Sequence, residues 1–223
     1  MDILDDIDIY LPKYLSTESF ASLKEELKKF PVDGTKATIY TTQFYEDEIL
    51  FQGDGITSLK FVDMELEEFY PAPAILLSNT CDMDLANTRA FFSPNICYAP
   101  IFNLDKYRNM IYNSSIEDEI KESKTGIISN EEKIKIRKSI DNHIQEIKLQ
   151  RITQILYLPK GAGLTYEGIV FLDQISHRDS YQIERNNLQK DRLFILSNYG
   201  LYLFLLKIAI HFTRIQEKVD RYT

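Results

Sequence analysis

The spacing of apolar and polar positions changes repeatedly along this chain, and each change predicts an element. Between Ser16 and Phe30, the residues Phe20, Leu23, Leu27 and Phe30 recur on one helical face with Lys and Glu opposite. That is the 3.6-residue period of a half-buried helix, stopped by Pro31 and Gly34. From Thr35 to Gly55 β-branched and aromatic residues take over, which predicts two short strands joined near Glu46 and Asp47. A further strand is expected at Leu59 to Val62. The run Ala74 to Ser78 after Pro73 is continuously apolar or small, the pattern of a strand covered on both faces, and Ile96 to Ile101 reads as its neighbour.

Residues 104–151 break this rhythm, being rich in charge and free of proline. Ser129 and Glu132 make a capping box ahead of Ile136, Ile140, Ile144 and Ile147, so an inserted helical hairpin, or at least one long helix, is expected. Strands resume at Gln154 to Leu158 and Gly168 to Leu172. A long helix from Asp191 to about Arg221 is expected to follow, its apolar first half buried and its charged second half exposed. Gly53, Gly55, Gly161 and Gly163 read as turns, because GDG and GAG lack the sequence context of a phosphate-binding loop.

Bulk properties narrow the class. At 223 residues and 44% apolar content the chain can bury one sizeable core, so one domain carrying an insertion is expected. A formal charge of -8 disfavours tight binding to free nucleic acid, whose affinity comes from clustered Lys and Arg. The acidic start, MDILDDIDIY, lacks the pattern of a secretory signal, and Cys81 and Cys97 read as reduced thiols, which together imply a cytoplasmic protein. Leu193 to Ile210 is interrupted by Ser197, Asn198, Gly200 and Lys207, too often for a membrane span. Lys207, Arg214 and Lys218 share a helical face, either as a basic stripe for a partner or as a solvated face.

Three segments carry a family resemblance: Gly53-Asp54; Pro73-Ala-Ile-Leu-Leu-Ser-Asn79 with Tyr98-Ala-Pro-Ile101; and Gly163-Leu164 with Gly168-Ile-Val-Phe-Leu-Asp-Gln-Ile175. In this order they resemble the MazF/PemK family of toxin–antitoxin ribonucleases. The resemblance implies an α+β fold built on a small SH3-like antiparallel β-barrel, here over residues 34–103 and 152–180. An N-terminal helix (1–33), the helical insertion (104–151) and a C-terminal helix (181–223) would complete the single domain. It also implies a bacterial setting, a protein partner such as an antitoxin or defence component, and a possible homodimer. RNA stays open as a partner.

The family's catalytic positions are changed. Where active members place an Arg before the strand proline, this chain has Ala72; where a Thr or Ser follows Pro-Ile, it has Phe102; where a second Arg follows Asp-Gln-Ile, it has Ser176. Losing one charge-stabilising donor commonly costs roughly 100 to 1,000-fold in rate. The expectation is therefore a descendant acting through protein contacts in a toxin–antitoxin or phage-defence system.

Two alternatives remain. In the first, an endoribonuclease needing no metal has moved its chemistry to His177, Arg178 and Asp179, His177 serving as acid or base near neutral pH. Against it stands a reading of SHRD as a solvated turn. In the second, a hydrolase uses Cys81 and Asp82 at the end of the apolar strand. The run Leu77-Ser-Asn-Thr-Cys-Asp82 resembles the LS-x-T-CD run of an uncharacterised bacterial group; its plain reading is Cys81 in a small apolar site with Asn79, Thr80 and Asp82 bonded to their own backbone. Asn79, Thr80, Gln174 and Ser176 are the candidate binding residues. Cys97 reads as core, and neither a metal site nor a cofactor is expected, two unlike cysteines fitting no usual zinc spacing.

Overall fold

A computed structural model describes residue 21 and residues 39–63, 67–87, 91, 93–123 and 127–213. Of the helix expected over Ser16 to Phe30, only Ala21, which is helical, falls within them; Arg214 and Lys218 lie outside. The described chain is a mixed α+β structure. Its strands are β1 (Tyr40–Thr41), β2 (Gly55–Asp63), β3 (Glu68–Leu76), β4 (Asn95–Pro100), β5 (Phe102–Asn103), β6 (Ile155–Leu158), β7 (Gly168–Phe171), β8 (Ser176–Asp179) and β9 (Arg192–Leu196). The helices are α1 (Thr80–Met83), α2 (Leu104–Glu122), α3 (Asn130–Lys148) and α4 (Asn198–Thr213), with 3-10 turns at Ser180–Gln182 and Leu188–Lys190. No helix among the described residues is long and apolar enough to cross a membrane.

Strands order as β1-β9-β2-β3-β4-β8 in one sheet and β5-β7-β6 in a second, with antiparallel neighbours throughout. β4 passes through Ile101 into β5, so one segment feeds both sheets. The loop after β6 returns to the far side of the first sheet. There the Gly163 N–H donates to Leu193 O at 2.7 Å, and the Tyr40 hydroxyl donates to Pro159 O at 2.7 Å.

The apolar run in β3 is covered on both faces, as its pattern requires. Ala74 and Leu76 join Leu59, Phe61, Ile96 and Tyr98 in one core, while Ile75 joins Ala99, Phe194 and Phe204 of α4 in another. β3 also starts earlier than its apolar run, through Pro71 and Pro73. Proline lacks the N–H for a ladder bond; Pro71 lies before Ala74, where pairing with β4 begins, and Pro73 still accepts from the Ile101 N–H through its carbonyl at 2.8 Å.

The inserted hairpin is present. Ser129 and Glu132 form the reciprocal capping box at the start of α3, and Ile140, Ile144 and Ile147 pack on Ile155, Tyr157 and Ile169. β6 and β7 thus form a middle layer, with α3 on one face and α4 on the other.

Two segments correct the pattern-based reading. The pair of strands expected over Thr35 to Gly55 reduces, among described residues, to β1, with turns and bends from 42 to 54. Arg192 explains the difference: its guanidinium donates to the carbonyls of Phe44, Tyr45, Asp47 and Ile49, taking up acceptors that a ladder would need. Arg192 is 2% exposed, and its Nε reaches Asp54 Oδ2 at 3.1 Å. Burial raises the Asp54 carboxyl to about 6, with Arg192 pulling the other way; Oδ1 is buried without a hydrogen-bond partner.

The second correction is the C-terminal helix, which starts at Asn198 and not at Asp191. Residues 192–196 are strand β9, between β1 and β2. A short apolar run has no period that separates strand from buried helix. Gly55 allows the pairing, since a Cβ there would lie 2.4 Å from the Phe194 ring. The Ser197 hydroxyl then accepts from the Gly200 N–H at 3.1 Å and opens α4.

Gly200 is a further point of close approach: a Cβ would stand 2.2 Å from the Ile39 carbonyl oxygen, which is backbone and cannot rotate away. Gly200→Ala is expected to lower stability by about 1–3 kcal/mol, read as a lower urea midpoint.

Lys207 is not part of a basic stripe. It is 1% exposed and donates to Gln150 O at 3.1 Å and to Ile152 O, tying α4 to the segment between α3 and β6.

Candidate functional site

The two segments expected to carry chemistry end on either side of β4. β3 pairs with β4 through Leu76↔Tyr98, and Leu77 N–H donates to Cys97 O at 2.8 Å. On the other side β8 pairs with β4 through Tyr98↔Ser176, Cys97↔His177, Ile96↔Arg178 and Asn95↔Asp179. The candidates from 77–82 and 176–179 are therefore about two strand spacings apart, roughly 10 Å. SHRD is a strand, which corrects its reading as a turn.

Most of these side chains hold the local structure. Asn79 caps α1, its Oδ1 accepting from the Cys81 N–H at 3.0 Å. Thr80 Oγ1 accepts from the Gln52 N–H at 3.0 Å, and the Gln52 amide donates to Leu77 O at 2.8 Å. Asn87 donates to Cys81 O at 2.7 Å, and Asp82 N–H donates to Asn79 O at 3.0 Å. Asn79 bonds the backbone of its own run as expected, but Thr80 takes the Gln52 N–H instead, residues 80–83 form a helical turn, and the Cys81 thiol is exposed and does not fill an apolar site.

On β8, Arg178 donates to the backbone and side-chain oxygens of Gln182 at 3.1 and 3.2 Å, and Asp179 caps the following 3-10 turn through the Tyr181 N–H at 2.9 Å. The Tyr98 phenol is raised by burial, with Arg178 holding it down, and its hydroxyl donates to Lys60 O at 2.6 Å. Gln174 and His177 are exposed, and Ser176 is half-buried. Arg185 reaches Ser180 Oγ at 2.5 Å and Met83 O at 3.2 Å, closing the segment after β8 over α1; burial lowers its pKa.

The histidine and thiol that share a row are His177 and Cys97, not Cys81. Cys97 spends its backbone groups on β3, donating to Ser78 Oγ at 2.8 Å and accepting from Leu77. It is a non-hydrogen-bonded partner of His177, the geometry in which antiparallel side chains come closest. Cys97 is half-buried and so not strictly core.

Ala72 and Phe102 both serve packing. Ala72 lies opposite Leu59, partly buried against the core of β2, β3 and β4. Phe102 meets Phe171 edge to face at 5.6 Å between ring centroids, in the cluster that α2 and α3 cover.

Two features had no signal in the sequence. Glu167, between β6 and β7, accepts from Lys148 at 2.8 Å and from the Tyr157 hydroxyl. Burial works to raise this carboxyl, but the bonds from Lys148 and Tyr157 leave it lowered; the Tyr157 phenol is pushed well above its ordinary range, by burial first and by Glu167 second. Next to it a cavity of about 320 Å³ is lined by Leu104, Asp105, Arg108, Asp141, Lys148 and Glu167, among others. An adjoining cavity of about 320 Å³ lies between α2 and α3, lined by Arg108, Asn109, Tyr112, Arg137, Ile140 and Asp141. Among the described residues no group of three or more His, Cys, Asp or Glu is arranged to hold a metal ion.

Comparison with family models and with curated proteins finds no match to this chain.

Proposed function

We propose that this chain is a MazF/PemK-type barrel protein of a toxin–antitoxin or phage-defence system that works by contact with a protein partner, without ribonuclease chemistry. The barrel reading is supported by β4 continuing into the second sheet and by the return of the β6–β7 loop to Leu193 and Tyr40, the course of a sheet curled on itself. The observation that carries the functional reading is Phe102. At the place where the resemblance expects a hydroxyl for the reacting sugar, an aromatic ring is packed beneath the α2–α3 hairpin, and Ala72 brings no cation. A phosphate there would meet apolar surface without charge-assisted donors.

A relocated ribonuclease is less well supported, because Arg178 and Asp179 are engaged in holding the turn after β8. Purified protein incubated with single-stranded RNA in the absence of metal is expected to give no cleavage above a protein-free control. Co-expression with the product of a flanking gene is expected to give a stable stoichiometric complex. Metal-free cleavage that disappears on His177→Ala would replace this reading with the ribonuclease.

A further inference from the structure

Arg137 stands out among the cations of the hairpin. In the cavity beside Glu167 the cations are matched, Lys148 by Glu167 and Arg108 by Asp141. In the cavity between α2 and α3 Arg108 keeps that pairing, and Arg137 has no such match among the described residues. The Arg137 guanidinium carbon stacks 5.7 Å from the centroid of the Tyr112 ring, and Asp141, one helical turn on, is taken by Arg108. Among the described residues neither the Arg137 guanidinium nor the Asn109 amide has a hydrogen-bond partner, and both line the cavity. α3 carries Lys133, Lys135, Arg137 and Lys138 between 133 and 138 with no carboxylate among them, and these residues are exposed. One turn before Arg137, Ile134 is 67% exposed. A stacked Arg, a Tyr face and a neighbouring exposed aliphatic are the composition of an interface anchor point.

We infer that this notch between α2 and α3 receives an acidic segment of a protein partner, one carboxylate taken by the Arg137 fork and Asn109, with an apolar neighbour over Ile134. The inference rests on the protein-contact reading and names its surface. A planar carboxylate matches the guanidinium fork, which lies over the Tyr112 ring. The chain as a whole repels an acidic partner at a distance, so the notch contributes specificity and residence time more than association rate. The acidic run Glu117 to Glu119 lies farther along α2, beyond Tyr112.

A fluorescein-labelled synthetic peptide alternating Glu and Leu, followed by fluorescence anisotropy, tests this, with the same peptide carrying Gln for Glu as a control. The Glu peptide is expected to bind, and Arg137→Ala to weaken it by about 10-fold or more, the loss expected for a charge-assisted pair. Arg137→Lys should recover only part, since an ammonium keeps the charge but not the fork. Ile134→Ser should weaken both peptides. Both residues are exposed, so thermal unfolding of the variants should match the parent. Unchanged binding by Arg137→Ala overturns the inference. So does displacement of the peptide by inorganic phosphate or a single-stranded RNA oligonucleotide at similar concentration, which would make the notch a phosphate site. A flanking-gene complex that survives Arg137→Ala removes the notch and leaves the contact reading standing; Arg137-dependent peptide binding with no such complex does the reverse.

Discussion

Replacing Arg192 with Met is expected to destabilise the protein by about 3–5 kcal/mol, the cost of stranding one member of a buried ion pair. Asp54 is fully buried, and its counter-charge comes from Arg192 at 3.0 Å. The same guanidinium satisfies the carbonyls of Tyr45, Asp47 and Ile49 and shares that of Phe44 with the Asp47 N–H, so its loss also leaves acceptors without this donor in the 42–54 segment. Adding Asp54→Asn should recover part of the loss, because the uncompensated charge then disappears. Urea unfolding of the two variants measures this. A change below about 1 kcal/mol for Arg192→Met would mean that water replaces the guanidinium, against the burial of the site. Between about pH 4 and 6 the folded carboxyl holds a proton that the unfolded chain has released, so this group's contribution falls as pH rises across that window.

Lys207→Met should change how stability depends on pH. Burial lowers the Lys207 pKa from its ordinary 10.5 to about 7, and among the described residues no carboxylate pairs with it. Between those values the unfolded chain binds a proton that the folded chain does not, so parent stability gains up to about 1.4 kcal/mol per pH unit as pH rises from 7. Below pH 7 both states are protonated and the folded state carries the whole cost of the buried charge. Lys207→Met removes this dependence but leaves the Gln150 and Ile152 carbonyls without their donor. Relative to the parent, the variant should therefore look best near pH 6 and lose roughly 3 kcal/mol between pH 7 and about pH 9.5. Tyr40 and Tyr157, both raised by burial, oppose the trend above about pH 10 in both proteins alike. Parallel pH profiles of the urea midpoint would contradict the assignment.

Much of the fold was legible because local rules carry it. The capping box at Ser129 and Glu132 marks the start of α3 without help from the rest of the chain, and the apolar run at Ala74 announces a strand covered on both faces. Residues 192–196 are ambiguous in the sequence because a buried run of this length has the same composition in a helix and in a strand. Its neighbours decide, here Tyr40 and Thr41 on one side and Gly55 and Ile56 on the other.

The candidate site follows the same division. Which residue types stand at Ala72, Phe102, Asn79 to Asp82 and Ser176 to Asp179 can be read along the chain without any fold. Their neighbours come from the packing of distant segments. It set His177 across from Cys97, buried Lys207, turned Arg192 into the clamp of a distant loop, and left Arg137 unmatched between two helices. The difference is one of range: caps, turns and apolar periods are set within a few residues, whereas burial and charge pairing depend on groups brought from anywhere in the chain. A cation reads the same in the sequence whether water, a carbonyl or a carboxylate will surround it, and it is that surrounding which sets its energy and its use.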